Sequence, residues 1–157
     1  MKKNVIISLA DANYFLLLNE LIDSIKRFKE SEQIAICILD AGLTDEQKKD
    51  LSNKVDSIKS ADWDIEVPDS KVKGKEWLKS QVSRAFLPRY FPGYEKYLWI
   101  DADAWVNSWY PIELFLKGCE NGKLSIASSA DRAYGRVLRA EWFLSLIHIS
   151  EPTRPLS

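Results

Sequence analysis

An α/β fold with a mainly parallel sheet follows from three observations on this sequence. Short apolar runs recur at residues 5–9, 34–39 and 97–100, the first rich in β-branched residues. Segments with apolar residues at helical spacing lie between them. Apart from Ser8 the runs are apolar rather than alternating, which is the pattern of strands covered on both faces.

Taken in order, Val5-Ile6-Ile7-Ser8-Leu9 predicts a buried first strand. Tyr14, Leu17, Leu18, Leu21, Ile22, Ile25 and Phe28 then predict the inner face of a helix, with Glu20, Asp23, Lys26 and Arg27 toward water. Residues 34–39 predict a second buried strand, and Asp40-Ala41-Gly42-Leu43 turns the chain. Thr44-Asp45-Glu46-Gln47 has capping-box spacing, so a second helix starts there and runs to about residue 55. Ile58 and residues 63–67 suggest short extended pieces, followed by a polar loop over 68–74. Residues 75–87 read as helical, with Pro88 and Pro92-Gly93 punctuating the end. Tyr97-Leu98-Trp99-Ile100 predicts a third clear strand that runs straight into Asp101. A short helix over 111–116 and a fourth strand over 124–127 complete the pattern.

Composition narrows the function. The 157 residues include 46% hydrophobic ones, enough for one domain with a real core. Net charge is -1 with acids and bases interspersed, so neither a nucleic-acid patch nor a membrane-surface stripe is expected. Cys37 and Cys119 have no motif spacing, and Cys37 reads as a buried thiol in a reducing compartment. The apolar run over 5–10 is broken by Asp11 and Asn13. It falls short of the roughly 7–15 residues of a signal segment, and no run reaches the ~18 of a membrane span. The expected location is the cytoplasm, with peripheral membrane association through other parts of the protein compatible with it.

The chemistry concentrates at Asp101-Ala102-Asp103. Two carboxylates flank one alanine directly after an apolar strand, where open α/β sheets place their ligands. In an extended segment residues i and i+2 point to one side, so both carboxylates could converge on one hard cation. Mg²⁺ and Mn²⁺ favour oxygen ligands shared with substrate phosphates, and such a metal offsets charge on a departing diphosphate. The plain alternative is a pair of solvated turn aspartates; the strand-end position and the surrounding Trp99, Trp105 and Trp109 favour the site.

Tyr97-Leu98-Trp99-Ile100-Asp101-Ala102-Asp103-Ala104-Trp105-Val106 resembles the D-x-D segment of family 8 glycosyltransferases. Ser8-Leu9-Ala10-Asp11-Ala12-Asn13-Tyr14 is similar to that family's first strand and nucleobase loop, and Leu39-Asp40-Ala41-Gly42-Leu43-Thr44 to its second-strand turn. Gln81-Val82-Ser83-Arg84-Ala85-Phe86-Leu87-Pro88 resembles the helix whose basic residue reaches the nucleotide-sugar, and Pro111-Ile112-Glu113-Leu114-Phe115 also has the family's character. The resemblance implies a GT-A, Rossmann-like fold and a retaining glycosyltransferase. It implies a nucleotide-sugar donor, foremost a UDP-sugar, a carbohydrate, lipid or protein acceptor, and Mn²⁺ or Mg²⁺ on Asp101 and Asp103. Ala10, Asp11, Asn13, Tyr14, Arg84, Asp101 and Asp103 are then the donor-binding residues. Asp11 and Asn13 could bond a uracil edge or ribose, or simply cap the loop. Tyr14 could stack on the base or pack in the core, Arg84 offers a planar fork for phosphate or sugar oxygens, and Trp99 reads as core. Asp131 is a weaker candidate for facing the sugar. No residue is assigned as nucleophile or base.

The family's third metal ligand is a downstream histidine, and the chain's one histidine, His148, lies in a foreign-looking segment. Leu144-Ser145-Leu146-Ile147-His148-Ile149-Ser150-Glu151-Pro152-Thr153-Arg154 resembles the translation of a sequencing adapter; the alternative is a short strand and tail. The expected organisation is residues 1–143 as the nucleotide-sugar-binding part of a GT-A domain, cut near Phe143, and 144–157 as non-native. A chain so cut is expected to lack transferase activity. Two other functions stay open: a non-catalytic nucleotide-sugar-binding domain, and a D-x-D phosphatase, whose motif normally has Thr or Val where Trp105 stands. The geometry expected of a donor site puts Asp101 and Asp103 at the C-terminal end of a central strand, near residues 10–13 and within reach of Arg84.

Overall fold

A computed structural model gives the fold of residues 2–127. The chain divides into two compact units, Met1–Ser125 and Ile126–Ser157, and every helix and strand among the described residues lies in the first. Asp131 and residues 144–157, with His148, lie outside the described residues.

Strand β1 (Asn4–Ala10) leads into helix α1 (Phe15–Lys26), then β2 (Ile34–Asp40), α2 (Asp45–Ser52) and the short β3 (Ser57–Ser60). β1 pairs in parallel with β2, and β2 with β3. After a largely helical stretch, β4 (Lys96–Trp99) returns to the other side of β1, again parallel. The order is therefore β3-β2-β1-β4, and the winding reverses between β1 and β4. The chain thus has the mainly parallel α/β sheet expected of it.

Period-two alternation sorts the side chains of the inner strands onto two apolar layers. Ile6, Ile34, Ile36 and Ile38 pack under Leu18, Leu21, Ile22 and Ile25 of α1 and under Leu51 of α2. Val5, Ile7, Leu9, Ala35, Cys37 and Leu39 face the opposite way, against Leu87, Tyr90 and Phe91. Burial on both faces explains why β1 and β2 carry apolar runs, broken only by the buried Ser8. The inner face of α1 is narrower than its spacing predicts. Leu17 is 43% exposed, and Tyr14 stands just before the helix rather than on its buried stripe.

Thr44 caps α2 as its spacing predicts. Its hydroxyl accepts the Gln47 N–H at 3.2 Å while the Gln47 Oε1 accepts the Thr44 N–H at 2.9 Å. The Gln47 Nε2 also donates to the Ala12 carbonyl at 3.2 Å, tying the start of α2 to the loop after β1.

Three expectations need correction. The loop over 68–74 contains a single helical turn, α3 (Asp69–Val72). The helix expected over 75–87 is a chain of short turns: a 3₁₀ turn Glu76–Leu78, α4 (Lys79–Ser83), a second 3₁₀ turn Arg84–Phe86, and α5 (Leu87–Tyr90). Pro88 does not end this run; it sits in the first turn of α5, where its missing N–H has no intrahelical role. The fourth strand expected over 124–127 is not formed. These residues follow α6 (Tyr110–Gly118) and a 3₁₀ turn Glu120–Gly122 as irregular chain, with Leu124 and Ile126 exposed.

The extended piece expected over 63–67 is irregular chain, and it is fastened to α5. The Tyr90 hydroxyl accepts the Asp62 N–H at 3.0 Å and donates to the Asp64 Oδ2 at 2.8 Å. The Arg89 Nη2 stands 2.7 Å from the Asp64 Oδ1, close as an ion pair but not aligned as a hydrogen bond. Burial first, and the neighbouring Asp64, push the Tyr90 hydroxyl up to about 12. No helix among the described residues is long and apolar enough to cross a membrane.

Two outcomes follow from this packing. Thr44→Ala removes one half of the capping box and should lower unfolding free energy by about 1 kcal/mol, read as a shift of the urea midpoint at unchanged slope; an unchanged midpoint would show that the cap contributes nothing. Burial pushes the Cys37 thiol up to about 11, so at pH 8 it stays protonated and shielded. A thiol reagent should label half-buried Cys119 and reach Cys37 only on unfolding, whereas equal labelling of both in the native state would contradict the buried assignment.

Candidate functional site

The reversal of winding opens a crevice beyond the carboxyl ends of β1 and β4, the place where open α/β sheets bind ligands. β1 delivers Ala10 and the loop Asp11-Ala12-Asn13-Tyr14 to it; β4 delivers Trp99 and the residues after it. Pairing with β1 persists one residue past β4, because the Ile100 N–H donates to the Ile7 carbonyl at 3.0 Å. The result is a cleft of about 220 Å³.

Among the described residues β4 is the end strand of the sheet, not an inner one, yet its neighbour β1 brings the two carboxylates next to the first loop. The two aspartates do not lie on an extended segment, as their spacing predicts. The Ala104 N–H donates to the Asp101 carbonyl at 3.0 Å, closing a turn over 101–104. Ala102 is buried at 6% exposure against the layer beneath α1 and α6. The turn tucks its middle residue into the core, and Asp101 and Asp103 both line the cleft.

Asp101 is the most heavily engaged of the two. Its Oδ1 accepts from the Arg84 Nη2 at 2.6 Å and from the Trp99 Nε1 at 2.8 Å. No hydrogen bond to the Asp103 carboxylate is formed among the described residues, and Asp103 is exposed. Arg84 itself is steered by the break between α4 and the following 3₁₀ turn: its Nε donates to the Ser80 carbonyl at 3.0 Å, and its guanidinium lies 5.0 Å from the Trp99 ring centroid. A backbone acceptor, an aromatic face and a carboxylate therefore fix its orientation. Trp99, read from sequence as core, is half-buried; one side packs on the Val5 layer and the indole N–H serves the cleft.

On the β1 side, Asp11 realises the capping alternative. Its Oδ1 accepts the Asn13 N–H at 2.9 Å and the Tyr14 N–H at 3.1 Å, closing the loop ahead of α1. Asp11 nevertheless lines the cleft, as does Ala10 at the end of β1; Asn13 does not. Tyr14 is 47% exposed and lines the cleft, which excludes the core-packing alternative. The loop is braced from β2: the Asp40 Oδ1 accepts the Gly42 and Leu43 N–H groups at 2.8 and 2.6 Å, and the Ala12 N–H donates to the Gly42 carbonyl at 3.1 Å. Gly42 has φ +127°, a backbone conformation that glycine adopts without strain.

Sequence reasoning missed Trp77 and Ser80, which also line the cleft. Trp77, 48% exposed, is a large aromatic in a lysine-rich stretch with no apolar neighbours at helical spacing. That isolation is a signal of a surface role that went unread. Among the described residues no group of three or more His, Cys, Asp and Glu side chains is placed to hold a metal.

Comparison with known proteins agrees with this architecture. No curated protein sequence matches the chain. Among solved structures, an active-site mutant of LgtC superposes with a TM-score of 0.50 at 20% identity, covering 69% of this chain and 41% of that one. The galactosyltransferase LgtC in complex with donor and acceptor sugar analogues gives a TM-score of 0.49 at 21% identity, with the same coverage. The chain thus spans about two-fifths of the length of these structures. The model of glycosyl transferase family 8 matches residues 5–111, from the first strand through the D-x-D turn to the start of α6, and the chain belongs to that family.

Proposed function

We propose that the chain forms the donor-binding part of a glycosyltransferase that takes its sugar from a nucleotide-sugar, foremost a UDP-sugar, with retention of configuration and a divalent cation, Mn²⁺ or Mg²⁺. The observation that carries the reading is the meeting of Asp101, Asp103 and the Arg84 fork in one crevice at the winding reversal. Family membership supports the reaction class.

Asp101 and Asp103 supply the hard oxygen donors a dication selects. Both carboxylates line the cleft, and Asp103 is exposed with no hydrogen bond to its carboxylate among the described residues, so the donor chemistry fits the group. When bound, the metal supplies charge neutralisation of the diphosphate leaving group. The other tasks fall to the chain's own residues. Arg84 presents parallel N–H donors to phosphate or sugar oxygens. Tyr14 offers an exposed ring for a nucleobase at the β1 side of the cleft. Ala10, Asp11 and Asn13 shape the loop that receives base and ribose. The acceptor, whether carbohydrate, lipid or protein, lies beyond what these residues specify. The free thiols of Cys37 and Cys119 fit a reducing, cytoplasmic setting. The phosphatase alternative expects the motif at the end of the first strand, whereas here it follows β4.

UDP should bind this 157-residue chain, and Mn²⁺ should strengthen that binding. Asp103→Asn should weaken Mn²⁺ binding by roughly tenfold or more and, in the whole gene product, abolish Mn²⁺-dependent UDP-sugar turnover with the fold intact. Calorimetry, with and without chelator, reads the first effect; released UDP reads the second. Turnover that survives both the substitution and the chelator would remove the metal site from the reading. UDP binding without any turnover by the whole gene product would support the other reading, a non-catalytic nucleotide-sugar-binding domain.

A further inference from the structure

We propose that Arg84 serves in the ligand-free protein as a resident counter-ion for Asp101, and that its departure couples cation binding to diphosphate binding. The inference rests on the donor-site reading given above but assigns the residue a task of its own. Here the Arg84 Nη2 is 2.6 Å from the Asp101 Oδ1, and the Trp99 indole N–H, at 2.8 Å, holds that same oxygen in place. The Ser80 carbonyl and the Trp99 ring fix the guanidinium from two other sides.

The consequences are electrostatic. A dication arriving at Asp101 and Asp103 meets a positive group already on one of its two ligands, so cation alone is disfavoured. Arg84 and Asp101 are 38% and 54% exposed, and a pair so open to water is weak. It can break once something else satisfies the guanidinium. A diphosphate in the cleft does so: the fork exchanges one carboxylate for phosphate oxygens, Asp101 is released to the cation, and the like-charge repulsion falls. No bond is made or broken in this exchange. Each ligand thereby strengthens the other, and by linkage the strengthening is equal in both directions. The device offsets one of the two carboxylate charges until diphosphate arrives and favours loading of cation and diphosphate together.

The test titrates Mn²⁺, with and without UDP, into the 157-residue wild-type chain, Arg84→Met and Arg84→Lys, with free Mn²⁺ followed by electron paramagnetic resonance. Circular dichroism verifies that each variant is folded. Arg84→Met should bind Mn²⁺ alone up to about fivefold more tightly than wild type. It should bind UDP roughly tenfold or more weakly, and UDP should strengthen its Mn²⁺ binding by a smaller factor. Arg84→Lys keeps the charge and should hold Mn²⁺ alone within about twofold of wild type. Binding of Mn²⁺ by Arg84→Met and not by wild type would be the strongest support. Equal Mn²⁺ affinity in wild type and Arg84→Met overturns the counter-ion role while leaving the donor-site reading standing. So does equal tightening in the Met and Lys variants, since charge would then not be the cause. Failure of all three chains to bind Mn²⁺ overturns both.

Discussion

Parallel strands expose an apolar surface on each face, and β1 meets that constraint by lying between β2 and β4 with a helical layer on either side. Everything at the strand ends depends on this placement. β2 and β3 extend the sheet on one side of β1, and β4 docks on its other side. The chain after β4 packs against α1, where the Val106 N–H donates to the Ser24 hydroxyl at 3.0 Å, so the loops after β1 and β4 flank one cleft at the carboxyl end of the sheet. The polar residues set at its rim are Asp11 from one strand and Asp101 and Asp103 from the other. Arg84 enters from the helical stretch that covers the Val5 face.

The rim is assembled by groups that brace one another. The Asp40 carboxylate orders the turn after β2, the turn's Gly42 carbonyl receives the Ala12 N–H, and Gln47 of the capping box holds the Ala12 carbonyl. Across the cleft, Trp99 supports both Asp101 and Arg84. Each contact is modest alone, about 0.5–1.5 kcal/mol for a typical hydrogen bond. Together they position side chains that are themselves open to solvent, so the site is ordered by its supports rather than by burial.

Much of this was legible in the sequence because it depends on local rules. The runs in β1 and β2, the stripe of α1 from Leu18 to Ile25 and the Thr44 cap are short-range patterns, and each formed as spelled. What was not legible depends on tertiary position. Trp99 looks like core by residue type, but β4 ends the described sheet and leaves one side of the ring at the cleft. Tyr14 continues the apolar spacing of α1, yet it belongs to the loop that Asp11 braces just before the helix, and its ring is exposed at the cleft. The apolar composition of residues 124–127 suggested a strand, but strand formation needs a partner edge, and among the described residues these form none. The D-x-D spacing suggested an extended pair; the carboxylates share the cleft because a turn delivers them, which sequence spacing alone does not distinguish.

Ala102 carries a consequence that reaches past its size. Between two solvent-facing aspartates it is the residue pressed into the hydrophobic layer beneath α1 and α6. Ala102 also lines the cleft, so steric room under the turn limits the motif's middle residue from one side and the cleft from the other. A bulkier side chain would lever the turn off its seat and spread the carboxylates apart, although it contacts neither. The interior of the domain thus acts as a gauge for the spacing of the charges above it, and drift in core volume near α6 would register first as a change in what the cleft can hold.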